Sequence, residues 1–440
     1  MRNQVVAVSN PVLHRSDGIE RETIRLVSMR LIPFLGIAYL LAYINRVNIG
    51  FAALEMNADL QFSPLVYSWG AGIFFIAYFL FEVPSNIALE KFGARRWIAR
   101  IMVTWGLVSA AMVMVQGATS FYALRFLLGA AEAGFFPGII LYLTYWFPAA
   151  YRGRILAAFI VAVPISTVIG APLSGYILTL DGLLGLRGWQ WVFIVEGVPA
   201  VLMGIFTWFY MTDGPENASW LPPEQRNWLI DECNREKTAN TAPHMPLWQA
   251  LRSSKVLLSS LSYFGFVAAL YGMQFWLPQI IHQFGLSTVE TGFVTAIPYL
   301  FAAVAMVLWS RHSDRTRERV WHTVIPFLAI AFSLAACAYI TSPAWTMVAL
   351  TIAACGVFCT FAVIWTLPMN LLAASTAAGG IAMINSFGNL AGFAGPYIIG
   401  FVKESTGSAT NGLVALSVCP LVGALTVVFL GRRFGAELRR

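Results

Sequence analysis

Residues 66–116 read VYSWGAGIFFIAYFLFEVPSNIALEKFGARRWIARIMVTWGLVSAAMVMVQ. Two apolar runs, 66–89 and 97–116, flank a short loop that holds a carboxylate and several cations. Each run matches the roughly 20 residues that an α-helix needs to cross the hydrocarbon core of a bilayer. The stretch therefore predicts two membrane-spanning helices joined by a charged turn.

The same pattern of apolar runs continues along the whole chain. Of its 440 residues, 58% are hydrophobic and 11% are charged, whereas roughly a quarter of the residues of a soluble domain are charged. This composition excludes a soluble globular protein, and we predict an all-α membrane protein with twelve transmembrane helices. The predicted spans are 31–53, 66–89, 97–116, 120–145, 155–180, 190–211, 255–281, 290–310, 322–342, 345–370, 378–402 and 412–432.

The longest polar interruption divides the spans into two groups of six. The first apolar run follows a polar segment of mixed charge, so we expect it to be retained as a membrane span rather than cleaved as a signal. The predicted organisation is a cytoplasmic tail at 1–30, an N-terminal half at 31–211, a cytoplasmic linker at 212–254, a C-terminal half at 255–432 and a cytoplasmic tail at 433–440.

The positive charges predict the orientation of these spans. Nearly all of the 28 lysines and arginines fall in the tails, in the linker or in loops that follow even-numbered spans, and only Arg187 and Lys403 fall in loops on the other side. Short cytoplasmic loops retain positive charge, so we predict that both termini are cytoplasmic, in a bacterial inner membrane. Topology and anionic lipid headgroups also account for the net charge of +7, so no nucleic-acid partner is predicted.

The charged loop after span two has a shorter copy after span eight. The first copy reads EKFGARR at 90–96, and the second repeats its acid-to-arginine spacing but lacks the glycine. The pattern resembles the signature of the major facilitator superfamily, which implies two duplicated halves and a cytoplasmic gating latch. The latch residues implied are Glu90, Lys91, Gly93, Arg95, Arg96, Asp314, Arg315 and Arg319. Because Glu82 lies about two turns from the first copy, we expect it to pair with the cations of this latch.

Two cations remain inside the predicted spans, Arg46 in span one and Arg125 in span four. A cation at a helix centre costs about 2.5–3.5 kcal/mol on insertion scales, so each requires a partner or a function. Arg125 and Glu132 lie on one face of span four. Two cations and one carboxylate leave a positive charge that an anionic substrate could neutralise, and a guanidinium binds a carboxylate in bidentate fashion. The alternative is that these charges form a buried ion cluster that only holds the helices together.

Further candidates for substrate binding surround these charges. Tyr39 and Tyr43 share the helical face of Arg46, and Tyr78 comes from span two. The neutral candidates in the second half are Gln274, Trp365, Asn385 and Asn389. Interhelical hydrogen bonding is an equal alternative for these polar groups, and packing is the alternative for the aromatic rings. Glu196 is predicted to be structural.

Residues 43–52 (YINRVNIGFA) and 125–138 (RFLLGAAEAGFFPG) resemble the anion:cation symporter branch of the superfamily. Within that branch, residues 135–138 (FFPG) and 142–148 (YLTYWFP) are similar to transporters of tartrate, phthalate and 4-hydroxyphenylacetate. The resemblance implies proton-coupled import of a small organic carboxylate by a monomer. In that reading Arg46 and Arg125 bind the anion and Glu132 carries the proton. The position before Arg46 is commonly Asp in this family and is Asn45 here, so a stoichiometry above one proton does not carry over.

Other functions stay open at the level of sequence. One is an uncoupled organic-anion exchanger or uniporter, and two others are a membrane sensor and a membrane enzyme. The five histidines fall in tails, loops or span edges, with no convergent acid-base or metal set, and the five cysteines show no metal or disulfide spacing. We therefore predict a transporter that is not an enzyme and uses no cofactor or metal.

Overall fold

The computed structural model describes residues 11–239, 252–372 and 374–438, and their regular secondary structure is helical throughout. The all-α prediction is confirmed for these ranges. Residues 1–10 and 439–440 of the predicted tails and 240–251 of the predicted linker lie outside the described residues.

A helix occupies each of the twelve predicted spans. Ten segments of the described chain are long and apolar enough to cross a membrane, and Val320–Ala336 is a shorter apolar helix. The helices are α1 Pro11–Val47, α2 Ile49–Asp59, α3 Pro64–Phe92, α4 Ala94–Ala111, α5 Ala118–Glu132, α6 Phe135–Trp146, α7 Ala149–Ile177, α8 Gly188–Tyr210, α9 Pro223–Ala239, α10 Ser254–His282, α11 Thr288–Thr316, α12 Val320–Ala336, α13 Pro343–Ile364, α14 Thr366–Leu371, α15 Ala374–Thr406 and α16 Ala409–Leu438.

The first span is longer than predicted. Asn48 separates α1 from α2 but keeps helical dihedral angles (φ −57°, ψ −28°), and its N–H donates to the Ile44 carbonyl at 3.0 Å. The two helices therefore form one continuous helical segment, Gly18–Asp59, that contains an apolar stretch long enough to cross a membrane. Helix α1 also extends into the predicted tail, where the polar sequence gave no sign of a span.

The fourth span is broken where α5 meets α6. Ala133 has extended ψ (133°) and Gly134 has a positive φ of 83°, a conformation that glycine adopts without steric cost. Pro137 lies in the first turn of α6, where its missing N–H leaves no helical hydrogen bond unmade. The break therefore comes before the proline, and it leaves Glu132 as the last residue of α5.

The helices that precede the linker pack directly against those that follow it. Helix α3 packs on α15, α7 on α11, and α2 on α10. On the predicted outer side the backbones come close: a Cβ on Gly175 of α7 would lie 2.6 Å from the Thr288 carbonyl oxygen of α11, and one on Gly50 would lie 3.0 Å from the Phe275 carbonyl oxygen of α10. The two groups of helices are thus in contact at this side.

Candidate functional site

The centre of the site is an ion pair between the first and fourth spans. Arg46 Nη2 contacts Glu132 Oε1, and the Glu132 side chain is almost fully buried. A buried carboxylate without a counter-charge is strongly unfavourable, so this pairing accounts for a carboxylate at membrane depth. Of the two arginines predicted near it, the structure therefore pairs Glu132 with Arg46.

The second guanidinium nitrogen of Arg46 reaches the other group of helices. Nη1 donates to the Tyr271 hydroxyl of α10 at 3.0 Å. The guanidinium carbon also lies 5.5 Å from the ring centres of Phe74 and Tyr78, within the range of cation–π attraction. Tyr271 was missed at the sequence level, although it lies three residues before Gln274 and therefore on the same helical face.

Aromatic residues of α1 line the same region. The Tyr43 hydroxyl donates to Gln274 Oε1 at 3.3 Å, which is a second contact between α1 and α10. The Tyr39 ring stacks on Phe136 of α6, with ring centres 5.2 Å apart and an interplanar angle of 27°. Tyr43 and Tyr78 thus lie beside Arg46, Gln274 is linked to this group through Tyr43, and Tyr39 packs against the Tyr43 ring.

Arg125 has different partners from Arg46. It is completely buried, and its Nε and Nη2 donate at 3.1 Å to the backbone carbonyls of Gly70 and Ala71 on α3. Its guanidinium carbon lies 5.1 Å from the centre of the Phe74 ring. No carboxylate of the described residues is within ion-pair distance of Arg125, so carbonyl dipoles and an aromatic face hold this charge.

Close packing of α5 on α3 brings Arg125 to these carbonyls. A Cβ on Gly129 would overlap the Phe74 carbonyl oxygen, so only a glycine allows this approach. Gly129 lies one turn after Arg125 and one turn before Glu132, on the same face of α5.

The site contains more hydrogen-bond donors than acceptors. Within the described part of the chain, Arg46 Nε, Arg125 Nη1 and Gln274 Nε2 are buried donors without an acceptor. Buried polar groups are normally hydrogen-bonded, and an unmade bond is costly. A carboxylate has two oxygens that only accept hydrogen bonds, so it complements this set of donors.

Asn45, next to Arg46, points away from the ion pair. Its Nδ2 donates to the Glu196 carbonyl at 2.7 Å, and its Oδ1 accepts from Ser109 Oγ at 2.7 Å. The Glu196 carboxylate is buried and accepts from Ser174 Oγ at 2.6 Å. These contacts tie α1, α4, α7 and α8 together, in keeping with the structural role predicted for Glu196.

The prediction that Glu82 pairs with the latch cations is wrong. Its Oε1 accepts from Asn385 Nδ2 at 2.8 Å and its Oε2 accepts from Asn389 Nδ2 at 2.7 Å, both on α15. Lys91 is nine residues further along α3, half a turn out of phase, and so faces the opposite way. Both asparagines therefore make interhelical hydrogen bonds, which was the alternative to substrate binding for these residues. We refer to Glu82, Asn385 and Asn389 as the α3–α15 bridge.

We expect Glu82→Ala to weaken the contact between α3 and α15. Removing the carboxylate leaves two amide groups without their acceptor, and hydrogen bonds to charged groups contribute about 1.5–3 kcal/mol each. Double electron–electron resonance measures the distance between spin labels placed on α3 and α15 next to the bridge. In Glu82→Ala the distribution of these distances should be broader, and its mean longer, than in the parent protein. Ile87→Ala, at an exposed position of the same helix that is not part of the latch, is the matched control, and a Glu82→Ala distribution identical to that of the parent protein would contradict the bridge.

Trp365 lies apart from the ion pair. Its ring is 4.7 Å from that of Tyr263, and both line a small cavity with Ser259 and Pro368. Tyr263 precedes Tyr271 by eight residues, about 12 Å along α10. Trp365 therefore belongs to a separate aromatic contact on the predicted cytoplasmic side.

The first copy of the latch is built around a glycine. Gly93 joins α3 to α4 with φ 88° and ψ 146°, a region open to glycine alone. Asp213, in the predicted linker, accepts from the Arg95 N–H at 2.9 Å, and its Oδ2 lies 3.9 Å from Arg95 Nε. The sequence gave no reason to select Asp213. Glu90, Lys91 and Arg96 are exposed.

The second copy of the latch is a compact turn between α11 and α12. Arg319 Nη1 donates to Asp314 Oδ1 and to Ser313 Oγ, both at 2.8 Å, and Arg315 is exposed. Partial burial would raise the pKa of Glu318, but hydrogen bonds from the Trp321 N–H and from His322 outweigh it and hold the pKa below its ordinary value. The acid and the arginine of the repeated spacing, Asp314 and Arg319, are therefore paired with each other in this copy.

The arrangement is suited to binding an anion and exchanging a proton. Among the described residues no group of three or more His, Cys, Asp and Glu side chains could hold a metal ion. The chemistry that the site offers comes from two buried guanidiniums, one paired carboxylate and several hydroxyl and amide groups.

Comparison with known proteins gives a consistent result. Residues 35–396 match the family model described as Major Facilitator Superfamily. A protein of Agrobacterium vitis named "Putative tartrate transporter" is 51% identical over 96% of this chain and 95% of its own length. A quinolone resistance transporter of Acinetobacter baumannii is 44% identical over 92% of this chain and 94% of its own. The inner membrane transport protein RhmT of Escherichia coli is 36% identical over 91% of this chain and 94% of its own length.

Solved structures agree on the fold. A bacterial homologue of the human lysosomal transporter Spinster superposes with a TM-score of 0.77 at 15% identity, covering 93% of this chain and 98% of that one. The xylose transporter XylE of E. coli gives a TM-score of 0.71 at 15% identity, covering 92% of this chain and 97% of that one. The predicted fold class is thereby confirmed.

Proposed function

The chain belongs to the Major Facilitator Superfamily, and from that premise we propose that it is a proton-coupled symporter that imports a small organic carboxylate by alternating access. Its relatives are named as transporters, and the chain is a transporter rather than an enzyme.

The observation that carries the proposal is the Arg46–Glu132 ion pair beside unpartnered donors. While Glu132 is ionised it occupies one side of the Arg46 guanidinium. Protonation removes that charge and frees the guanidinium to bind a carboxylate of the substrate in bidentate fashion. Arg125 adds a second positive charge, and Gln274 adds an amide donor.

Proton and substrate therefore favour each other's binding. A carboxylate on Arg46 competes with ionised Glu132 and not with its protonated form. By linkage, the factor by which protonation strengthens substrate binding equals the factor by which substrate strengthens proton binding. One proton accompanies each substrate in this scheme, because Asn45 carries an amide, which does not titrate near neutral pH.

The substrate class follows from the site and from the relatives. Guanidiniums select carboxylates, and the hydroxyls of Tyr43 and Tyr271 can exchange hydrogen bonds with a polyhydroxylated acid. Two relatives at about half identity are named for tartrate. We therefore place a small hydroxy acid first among the candidates.

Alternating access would proceed by rocking of the two predicted halves, 31–211 and 255–432, around this site. The close backbone contacts at Gly50 and Gly175 would form the outer closure. The α3–α15 bridge and the two latch copies would stabilise closure on the predicted cytoplasmic side. Both sets of contacts are made in this structure, so opening the site to one side would require only the contacts of that side to break.

Purified protein in liposomes that enclose a pH-sensitive dye tests the proposal. Tartrate, phthalate, 4-hydroxyphenylacetate and sugar acids are added outside one at a time, with protein-free liposomes as the control. We expect one of them to acidify the lumen at a rate proportional to the protein content. Exchange of labelled carboxylate without acidification would identify an uncoupled exchanger, and no movement of any carboxylate would contradict the substrate class.

A further inference from the structure

The two cations on the predicted outer side differ in their surroundings. Arg187 forms ion pairs with Asp59 at 3.3 Å and Asp181 at 3.9 Å. Lys403, near the end of α15, has no carboxylate of the described residues within ion-pair distance, and its Nζ lies 4.8 Å from the centre of the buried Trp276 ring. Lys403 therefore supplies the less compensated positive charge of this side.

Lys403 lines an open pocket between the two groups of helices. The cavity has a volume of about 260 Å³, and its wall combines the end of α2 with the end of α10. Its polar lining residues are Asn57, Gln279, His282, Gln283 and Lys403. The pocket is large enough for a small organic acid and lies directly above the contact of Gly50 with α10.

Hydrogen-bonding groups in this pocket fit a hydroxylated carboxylate. Gln279 is buried, and its Nε2 is a donor without an acceptor among the described residues; Asn57 Oδ1 is a buried acceptor without a donor. The carboxylate nearest in sequence, Glu404, accepts from the Leu65 N–H at 3.1 Å. His282 Nδ1 contacts the Thr291 hydroxyl at 3.2 Å. A cation and a donor for a carboxylate thus stand beside an acceptor for a hydroxyl.

We propose that this pocket is an outer subsite that binds the substrate carboxylate through Lys403 and Gln279 before the seam between α2 and α10 opens. This inference rests on the proposed function, because it assigns the subsite to the same substrate. The subsite raises the local concentration of the anion at the outer entrance. When the contact between α2 and α10 opens, the substrate can move from Lys403 to Arg46 along the face of α2 that packs on α10.

Uptake by oriented vesicles tests the subsite. Lys403→Gln keeps a hydrogen-bond donor and removes the charge, and Arg187→Gln is the matched control that removes the other cation of the same side. In right-side-out vesicles we expect Lys403→Gln to raise KM for the transported acid by about two- to fivefold with kcat unchanged, as the loss of one partly exposed charge contact implies. In inside-out vesicles KM should not change.

Ionic strength gives a second readout. Because salt screens exposed charges, the KM difference between the parent protein and Lys403→Gln should shrink as salt is raised. An unchanged KM in right-side-out vesicles, or an equal rise in both orientations, would overturn the subsite. If the parent protein transports no carboxylate, the proposed function fails and the subsite fails with it, whereas a transporting parent protein with an unchanged KM in Lys403→Gln overturns the subsite alone.

Discussion

Glu132→Gln is expected to abolish proton-driven accumulation while sparing exchange of substrate across the membrane. With the membrane potential clamped at zero, a pH difference of one unit can drive about tenfold accumulation at one proton per substrate, because one unit corresponds to about 1.4 kcal/mol. In the variant this ratio should fall to one. Accumulation of labelled substrate in liposomes, followed by counterflow in the absence of a pH gradient, measures both activities.

The physical reason lies in the partner of Glu132. The glutamine amide has nearly the shape of the protonated acid, and it cannot ionise to compete for Arg46. The Arg46 guanidinium is then available to the substrate at every pH, so binding and exchange persist and the link to the proton is lost.

Glu196→Gln is the matched control for this experiment. It removes another buried carboxylate of the same group of helices, one that hydrogen-bonds to Ser174 and contacts no cation of the described residues. Accumulation should survive in this variant. If Glu132→Gln accumulated substrate fully and Glu196→Gln did not, the proton-carrying residue would be Glu196 instead of Glu132.

The membrane fold could be predicted from the sequence because hydropathy acts locally. A bilayer demands about 20 apolar residues for each span, so the helices are visible in the composition of short windows, and the charges left inside them identify Arg46, Arg125 and Glu132. The partner of each charge depends on which helices pack together. Helical phase placed Glu132 on the face of Arg125, yet packing of the first span against the fourth gives it Arg46 instead.

The errors of the sequence analysis have the same origin. Glu82 was assigned to nearby cations by distance along α3, although the helical phase turns it toward Asn385 and Asn389. An aspartate in a loop carries no local signal, which is why Asp213 was missed. Tyr271 shares the helical face of Gln274, but that phase does not reveal that Arg46 packs against it. Contacts between residues more than 200 positions apart, such as Arg46 with Tyr271, require the tertiary structure.

The second large effect is expected for Arg46→Ala, which should reduce transport by at least about 30-fold. It removes the guanidinium that binds the carboxylate, and truncating one partner of a buried charged pair costs about 2–5 kcal/mol. Initial rates of labelled substrate uptake in liposomes measure the loss. Arg187→Ala, on the predicted outer side, should keep the rate of the parent protein.

The same variant can separate substrate binding from a purely structural ion pair. Arg46→Ala leaves Glu132 buried without a counter-charge, which costs about 3–5 kcal/mol unless the carboxyl takes up a proton. The thermal stability of the purified variant should therefore be lower than that of the parent protein, and the deficit should shrink as the pH falls. Adding Glu132→Gln removes the uncompensated charge and should restore stability at all pH values. If Arg46 only held the helices together, this double variant would also regain transport; if Arg46 binds the substrate, it will be stable and inactive.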